Sequence, residues 1–367
     1  MKVSLPRSEL FLALQRCQSV VERRHTVPIL SNVLIEAGNG EFQLTATDME
    51  VSLQTALKAD ISEEGSTTAS ARKFFDIVKE LPDEAEVELT LEKDYLHIKS
   101  SKAKLRLATQ PADEFPALQQ SAEANVLRLD GRDLAGMIAS ISFAMSGDET
   151  RKYLTGALFE VQETGSLRLV ATDGHRLAIA EASLDQPPSD AVQVIVPRKA
   201  VGELRRLCEE VEGQVELFLG EQLIRLSSGE HTLTSKLIDA RFPSYQDVIP
   251  TDNPHEAVLE RRALDHVLRR AMVVANEFSH DVRLQLNTGE ITMSAHNTDH
   301  EEAEETLDAD YSGPELAIGF NARYLREALG VMQGDKLRMQ LKDNLSPVLL
   351  LEPDRPDVQF VIMPMRI

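Results

Sequence analysis

Little in this chain points to chemistry at first reading. It has two cysteines, Cys17 and Cys208, far apart and each inside an apolar helical pattern, without the spacing of a metal or redox site. Both are expected to be buried thiols. No stretch approaches the roughly 18 uninterrupted apolar residues of a membrane span, and the opening MKVSLPRSEL lacks the apolar core of a signal peptide, so the expected location is the cytoplasm. A phosphate-cradling glycine loop, a zinc-type cysteine cluster and a catalytic serine elbow are also missing. Basic charge is scarce. The 39 Lys and Arg against 60 Asp and Glu give a formal charge of −21, which speaks against nucleic acid unless the cations are segregated onto one surface.

What is present is a chain of 367 residues with ordinary globular composition, 42% hydrophobic and 27% charged, long enough for two or three domains. Self-comparison finds a threefold repeat at a spacing of about 125 residues. The first repeated pattern is a short strand, a turn and an amphipathic helix, over 2–21, 126–145 and 257–275. Setting Leu10, Leu134 and Leu264 in register also aligns Leu14, Ile138 and Leu268, then Cys17, Ile141 and Ala271, all on one helical face. The second pattern is a pair of alternating strands, VLIEAGNGEFQLTATD (33–48), ALFEVQETGSLRLVATD (157–173) and VRLQLNTGEITMSAHN (282–297). Their aligned Gly40, Gly165 and Gly289 fall where a hairpin needs positive φ. The third opens with ARKFFDIVKEL (71–81), VPRKAVGELRRL (196–207) and GFNARYLREAL (319–329), each followed by further strands. The reading is an α+β chain of three like domains, 1–120, 125–248 and 254–367, with links at the Pro- and Asp-rich stretches 113–125 and 242–256.

Placed on these helices, Lys199 and Arg206 point away from the stripe Val201, Leu204 and Cys208, and Arg262 and Arg269 oppose the stripe around Leu264. Arg132 stands at the position equivalent to Arg262. Glu203, Glu209 and Asp265 share these helices, so an ordinary solvated face and the lining of a common channel both remain open.

Two clusters invite a chemical reading. ATDGHRLAI (171–179) brings Asp173, His175 and Arg176 together, and His296, Asp299, His300, Glu301 and Glu302 could ligate a cation by composition. The aligned copies of the first keep neither His nor Arg, so ATD reads as a turn element and the His175–Arg176 pair as a binding feature of the middle repeat. Strand alternation divides the second cluster between two faces, and no metal site is expected. KAKLRLA (102–108) and EEAEETL (301–307) are edge-like and opposite in charge, which suits a head-to-tail contact between two copies. The terminal FVIMPMRI completes a last strand and offers a methionine-rich surface for several different peptides.

The repeat, with TVPILSN (26–32), ARKFFDI (71–77), ATDGHRLA (171–178), VPRKAV (196–201), TSKLIDARFPSY (234–245) and VIMPMRI (361–367), resembles the bacterial DNA polymerase III beta subunit family, the replicative sliding clamps, over essentially the full length. The resemblance implies three clamp-type domains with antiparallel sheets outside and two helices each inside, closed by a head-to-tail homodimer into a six-domain ring around duplex DNA. The ring acts without a catalytic site or cofactor as a processivity factor in the cytoplasm. It implies DNA contacts at Arg24, Arg72, Lys152 and Tyr153, to which helix geometry adds Arg198, Lys199, Arg205 and Arg206. Asp148 and Asp247 depart from an amide and a basic residue expected there. A pocket for short peptides of polymerases and the clamp loader is implied at Leu154, Thr172, Gly174, His175, Arg176, Leu177, Pro243, Val248, Asn321, Tyr324, Ser346, Val361, Ile362, Met363, Pro364, Met365 and Arg366. A dimer interface is implied in which Leu105, Leu107, Val273 and Val274 pack together while Lys73, Lys104 and Arg106 face Glu301, Glu302, Glu304 and Glu305. The alternatives are a metal-assisted hydrolase at Asp173, His175 or the His296–Glu302 cluster, and a repeat scaffold that does not bind DNA.

Overall fold

The structure is a computed structural model, described for all residues except 22–25, 39, 118–125, 186–190 and 367. Six α-helices occur among the described residues, two per repeat: α1 Arg7–Val20, α2 Ala71–Lys79, α3 Gly131–Ile141, α4 Arg198–Glu210, α5 Arg261–Val274 and α6 Ala322–Val331. None is long and apolar enough to cross a membrane.

The first helix of each repeat follows its strand directly, without the turn expected from sequence: Lys2–Pro6 runs into α1, Val126–Asp130 into α3 and His255–Glu260 into α5. Their aligned faces are buried, with Leu10, Leu14, Cys17, Leu134, Ile138, Ile141, Leu264, Leu268 and Ala271 all in the core. Burial pushes both thiols up to about 12, with Glu209 and then Asp130 adding to the effect at Cys208. The second helices start on side-chain caps where the sequence allows it. Ser70 Oγ accepts from Lys73 N at the start of α2, and Asn321 Oδ1 from Arg323 N at α6. Each hairpin glycine sits in the left-handed region, Gly40 at φ 81°, Gly165 and Gly289 at 84°.

Arg7 and Arg261, equivalent in the repeat register, both reach carbonyls in or just beyond the last turn of their repeat's second helix. Arg7 donates to Val78 O (2.9 Å) and Lys79 O (2.7 Å), and Arg261 to Leu329 O (3.0 Å) and Gly334 O (2.6 Å). The middle repeat has Gly131 there, where a Cβ would lie 3.4 Å from Cys208 O and from Gly213 O.

By contacts the chain forms two compact units, Met1–Gly131 with Gly202–Leu237, and Arg132–Val201 with Ile238–Ile367. The first holds one antiparallel sheet of thirteen strands, the second a sheet of nine and one of four. The units cut through the middle repeat because strands of neighbouring repeats pair. His231–Lys236 runs antiparallel to Val51–Leu57 in the first unit, and Arg355–Ile362 to Arg176–Ser183 in the second.

Candidate functional site

In the second unit a cavity of about 290 Å³ is lined by Tyr153, Leu154, Thr172, Gly174, Arg176, Leu177, Pro243, Ser244, Tyr245, Val248, Val361 and Met363. Its lining is mainly apolar with a few polar groups, as in small-molecule and peptide sites. One edge is built by the ATD turn. Asp173 Oδ1 accepts from His175 N (2.9 Å) and Arg176 N (3.1 Å), Gly174 N donates to Thr172 Oγ1 (3.1 Å), and Thr172 Oγ1 donates to Arg176 O (2.6 Å). Gly174 has φ 91°, and a Cβ there would stand 3.2 Å from the Arg151 guanidinium, so both backbone and space call for glycine.

Arg176 is buried and fully engaged. Its Nε donates to Asp173 Oδ2 (3.1 Å), its Nη2 to Phe143 O (2.7 Å) and its Nη1 to Glu327 of α6. The guanidinium lies 4.6 Å from the Tyr324 ring centre and 5.0 Å from that of Phe143. Its charge is thus spent inside the protein, and it ties the turn to α6. The opposite wall is the segment from Phe242 to Val248, where Phe242 and Tyr245 meet edge to face at 6.5 Å between ring centres. Val248 and Tyr153 keep exposed apolar surface at the mouth.

Nine of the seventeen expected pocket residues line this cavity. The others divide for physical reasons. Ile362 follows Val361 in the same strand and so turns to the opposite face, where it is completely buried. His175 is exposed, with its ring stacked on Tyr324 at 6.0 Å, so the two stand beside the cavity wall. Asn321 caps α6 and donates to Ser279 O, and Ser346 N donates to Asp343 in a turn. Met365 N donates to Gly319 O, which, with Pro364 and Arg366, places the terminal residues outside the lining. Ser244 and Tyr245 line the cavity without having been expected. They lay in the FPSY stretch, read as a link between domains, and the signal available was the run of aromatic and apolar side chains in that link, Phe242, Tyr245, Val248 and Ile249.

Asp173 spends both oxygens on the turn and on Arg176, so it is no free base, and the hydrolase alternative finds no support. Among the described residues no group of three or more His, Cys, Asp or Glu side chains could hold a metal ion.

The expected DNA contacts are scattered in their surroundings. Arg24 lies outside the described residues. Arg72 is exposed and 3.8 Å from Asp76, and Lys152 is exposed beside Tyr153, which also lines the cavity. Arg198 donates to Met145 O and Ser146 O, a structural use of its guanidinium, while Arg205 pairs with Glu209 at 2.7 Å and Arg206 with Glu203 at 3.6 Å. Lys199 is half-buried. This face of α4 is therefore mixed in sign, not purely cationic. Hydrogen bonds from Thr150 and then Arg151 hold the Asp148 carboxyl below its ordinary range, so this departure is absorbed locally. Asp247 is exposed.

Both edge strands have an open side. Ala103–Gln110 pairs with Tyr95–Ser100 along its length but with Gly65–Ser70 only at Thr109 and Gln110, and Glu302–Asp308 is outermost in its sheet. Lys73, Lys104, Leu105, Arg106, Glu301, Glu302 and Glu304 are exposed. Val273 is 81% exposed, an open apolar side chain on α5, and Val274 is half-buried. Two expectations need correction. Leu107 turns into its own core, opposite in face to Arg106, and Glu305 is already held by Arg270 through two short hydrogen bonds, which lower its carboxyl below the ordinary range.

The chain matches the DNA polymerase III beta subunit N-terminal domain over residues 1–119, the central domain over 128–244 and the C-terminal domain over 246–366. It is 40% identical to the beta sliding clamp of Pseudomonas putida, covering all of both chains. The crystal structure of a DnaN sliding clamp from Pseudomonas aeruginosa bound to griselimycin superposes with a TM-score of 0.97 at 40% identity, again over the whole of both chains. One from Bartonella birtlesii, also bound to griselimycin, gives 0.95 at 38% over the same full coverage.

Proposed function

We propose that this chain, which belongs to the DNA polymerase III beta subunit family, is a DNA sliding clamp whose cavity beside the ATD turn receives short peptides of polymerases and of the clamp loader. The reading is carried by one observation: three clamp-domain matches run in order along the full chain. Two copies joined head to tail, Leu105 and Lys104 of one against Val273 and the glutamates 301–304 of the other, would make a ring of six domains. Domains of 1–120, 125–248 and 254–367 suit that arrangement. Closed around duplex DNA, such a ring needs only weak, sequence-independent phosphate contacts from residues such as Arg24, Arg72 and Lys152, which leaves it free to slide. A polymerase docked in the cavity is held at high effective concentration near the primer end. The role is topological, performed in the cytoplasm, with no chemistry of its own.

The test is retention on DNA. After loading onto a nicked circle the protein should stay bound through gel filtration and leave when the circle is linearised; equal retention on both forms would contradict a ring. Solution mass near twice 40.8 kDa is the accompanying expectation.

A further inference from the structure

Beneath the cavity wall runs a polar row that the core does not require. In the pairing of four adjacent strands Gln193 stands opposite Glu160, Glu160 opposite Arg168, and Arg168 opposite Glu181. Two residues along, on the same face, the row is Ile195, Leu158, Val170 and Ile179, part of the apolar cluster that contains Phe242 and Tyr245. A buried carboxylate in such a face is costly unless its lone pairs are filled. Glu160, with 8% of its side chain exposed, is filled from several sides. Tyr245 Oη donates to Glu160 Oε2 at 2.5 Å, Gln193 Nε2 donates to Oε1, and Arg168 stands 3.8 Å away. Arg168 Nη1 donates to the same Tyr245 hydroxyl at 3.0 Å, while its Nε and Nη2 hold Glu181. The hydroxyl is therefore fixed both as donor and as acceptor. Burial, with Glu160 acting in the same direction, pushes it up to about 12, so it keeps its proton at any physiological pH.

We infer that Glu160 and Arg168 are positioning residues for the cavity: through the Tyr245 hydroxyl they hold the wall 243–248 in the shape that receives a partner. The inference rests on the reading of the cavity as the partner site. Tyr245 presents its ring to the cavity beside Pro243, Ser244 and Val248, and the short 3-10 turn Tyr245–Val248 that follows depends on it for its seat. Loosening the tether lowers the fraction of molecules with a receptive wall, and apparent affinity falls by that fraction.

The test uses the full chain and griselimycin, titrated by calorimetry. Tyr245→Phe, which keeps the ring and removes only the tether, should weaken binding about three- to tenfold. Glu160→Gln leaves an oxygen to accept from the hydroxyl and should retain more affinity than Glu160→Leu; should the latter fold poorly, Arg168→Lys replaces it, with an intermediate loss expected. Deuterium uptake at the Ile249 amide, which closes this wall onto Gln246 O, should rise in Tyr245→Phe while core strands stay protected. Binding within twofold of the parent and unchanged uptake in Tyr245→Phe overturn the positioning role. Met363→Glu separates the two ideas. If it leaves griselimycin binding intact, the cavity is not the site and this inference falls with that reading; if it abolishes binding while Tyr245→Phe does not weaken it, only the positioning role is lost.

Discussion

The chain builds the same corner twice and opens it once. In the second unit the corner is the cavity described above; in the first its counterpart is lined by Thr47, Met49, Glu50, Ser52, Pro116, Ala117, Thr234 and Lys236. The correspondence extends to the backbone. Lys236 N donates to Glu50 O at 2.9 Å as Met363 N donates to His175 O at 2.9 Å, and Asp48 Oδ1 accepts from Glu50 N and Val51 N as Asp173 does from His175 N and Arg176 N. Yet the first corner encloses about 60 Å³ against about 290 Å³. Three side chains narrow the first corner, Met49, Glu50 and Lys236. Met49 carries a side chain where Gly174 has none, at a φ of 78° that an L residue adopts only with strain. Glu50 and Lys236 form an ion pair across the gap at 3.0 Å where the open corner has His175 and Met363, whereas Ser52, at the position of Leu177, is the smaller residue and supplies less apolar wall. A repeat thus supplies the frame, and substitutions within it decide whether the frame is a site.

The sharpest way to break this comparison is to charge each corner in turn. Met363→Glu should weaken peptide or griselimycin binding by more than about 100-fold, since a carboxylate would be forced into an apolar lining, whereas Lys236→Glu should leave it unchanged; equal losses would erase the distinction. Next in size, Leu177→Ser gives the open corner the residue of the closed one. Losing the burial of one leucine, about 2 kcal/mol, corresponds to roughly a 30-fold weaker complex in the same titration.

The strand seams beside the two corners differ in charge, and pH should separate them. In the first, His231 pairs opposite Thr55, and Arg16 Nη1 lies 2.9 Å from its Nε2. In the second, the register places Val358 opposite Ala180. Burial and then Arg16 lower His231 below its ordinary value of 6.5, against the opposing pull of Glu230 and Glu210. Because the unfolded chain takes up this proton first, the contribution to stability is complete above that value and is lost as pH falls toward the folded value. Denaturant midpoints measured between pH 7.5 and 5.5 should decline less in His231→Gln than in the parent; equal declines would remove His231 from the account. The smallest effect belongs to the ion pair itself. With side chains 36% and 64% exposed, Lys236–Glu50 should contribute about 0–1 kcal/mol in a double-mutant cycle, so it blocks space more than it stabilises.

Much of this is legible in the amino-acid sequence. The helical stripes through Leu10, Leu134 and Leu264, the hairpin glycines and the reading of ATD as a turn depend on spacing alone, and spacing survives folding. Site residues such as Thr172, Leu177 and Val361 were legible through the resemblance to the clamp family, and the fold brings these three to one cavity. The failures share a cause. Ile362 is buried on the strand face opposite Val361, Leu107 is buried although it shares a face with the exposed Leu105, and Tyr245 is a linker residue whose role comes from Glu160, far away in sequence. Glu305 looked free for a second copy because nothing local in EEAEETL reveals Arg270 as its partner.

The amino-acid sequence by itself determined the number of repeats, the order of their elements and the faces those elements bury, because these follow from periodicity and local backbone preference. Tertiary structure alone decided which of two like corners is open, which arginines are spent inside the protein, and where one repeat's sheet joins the next. Those outcomes depend on contacts between residues distant in the chain, where one side chain's size or charge sets the result and no local pattern records it.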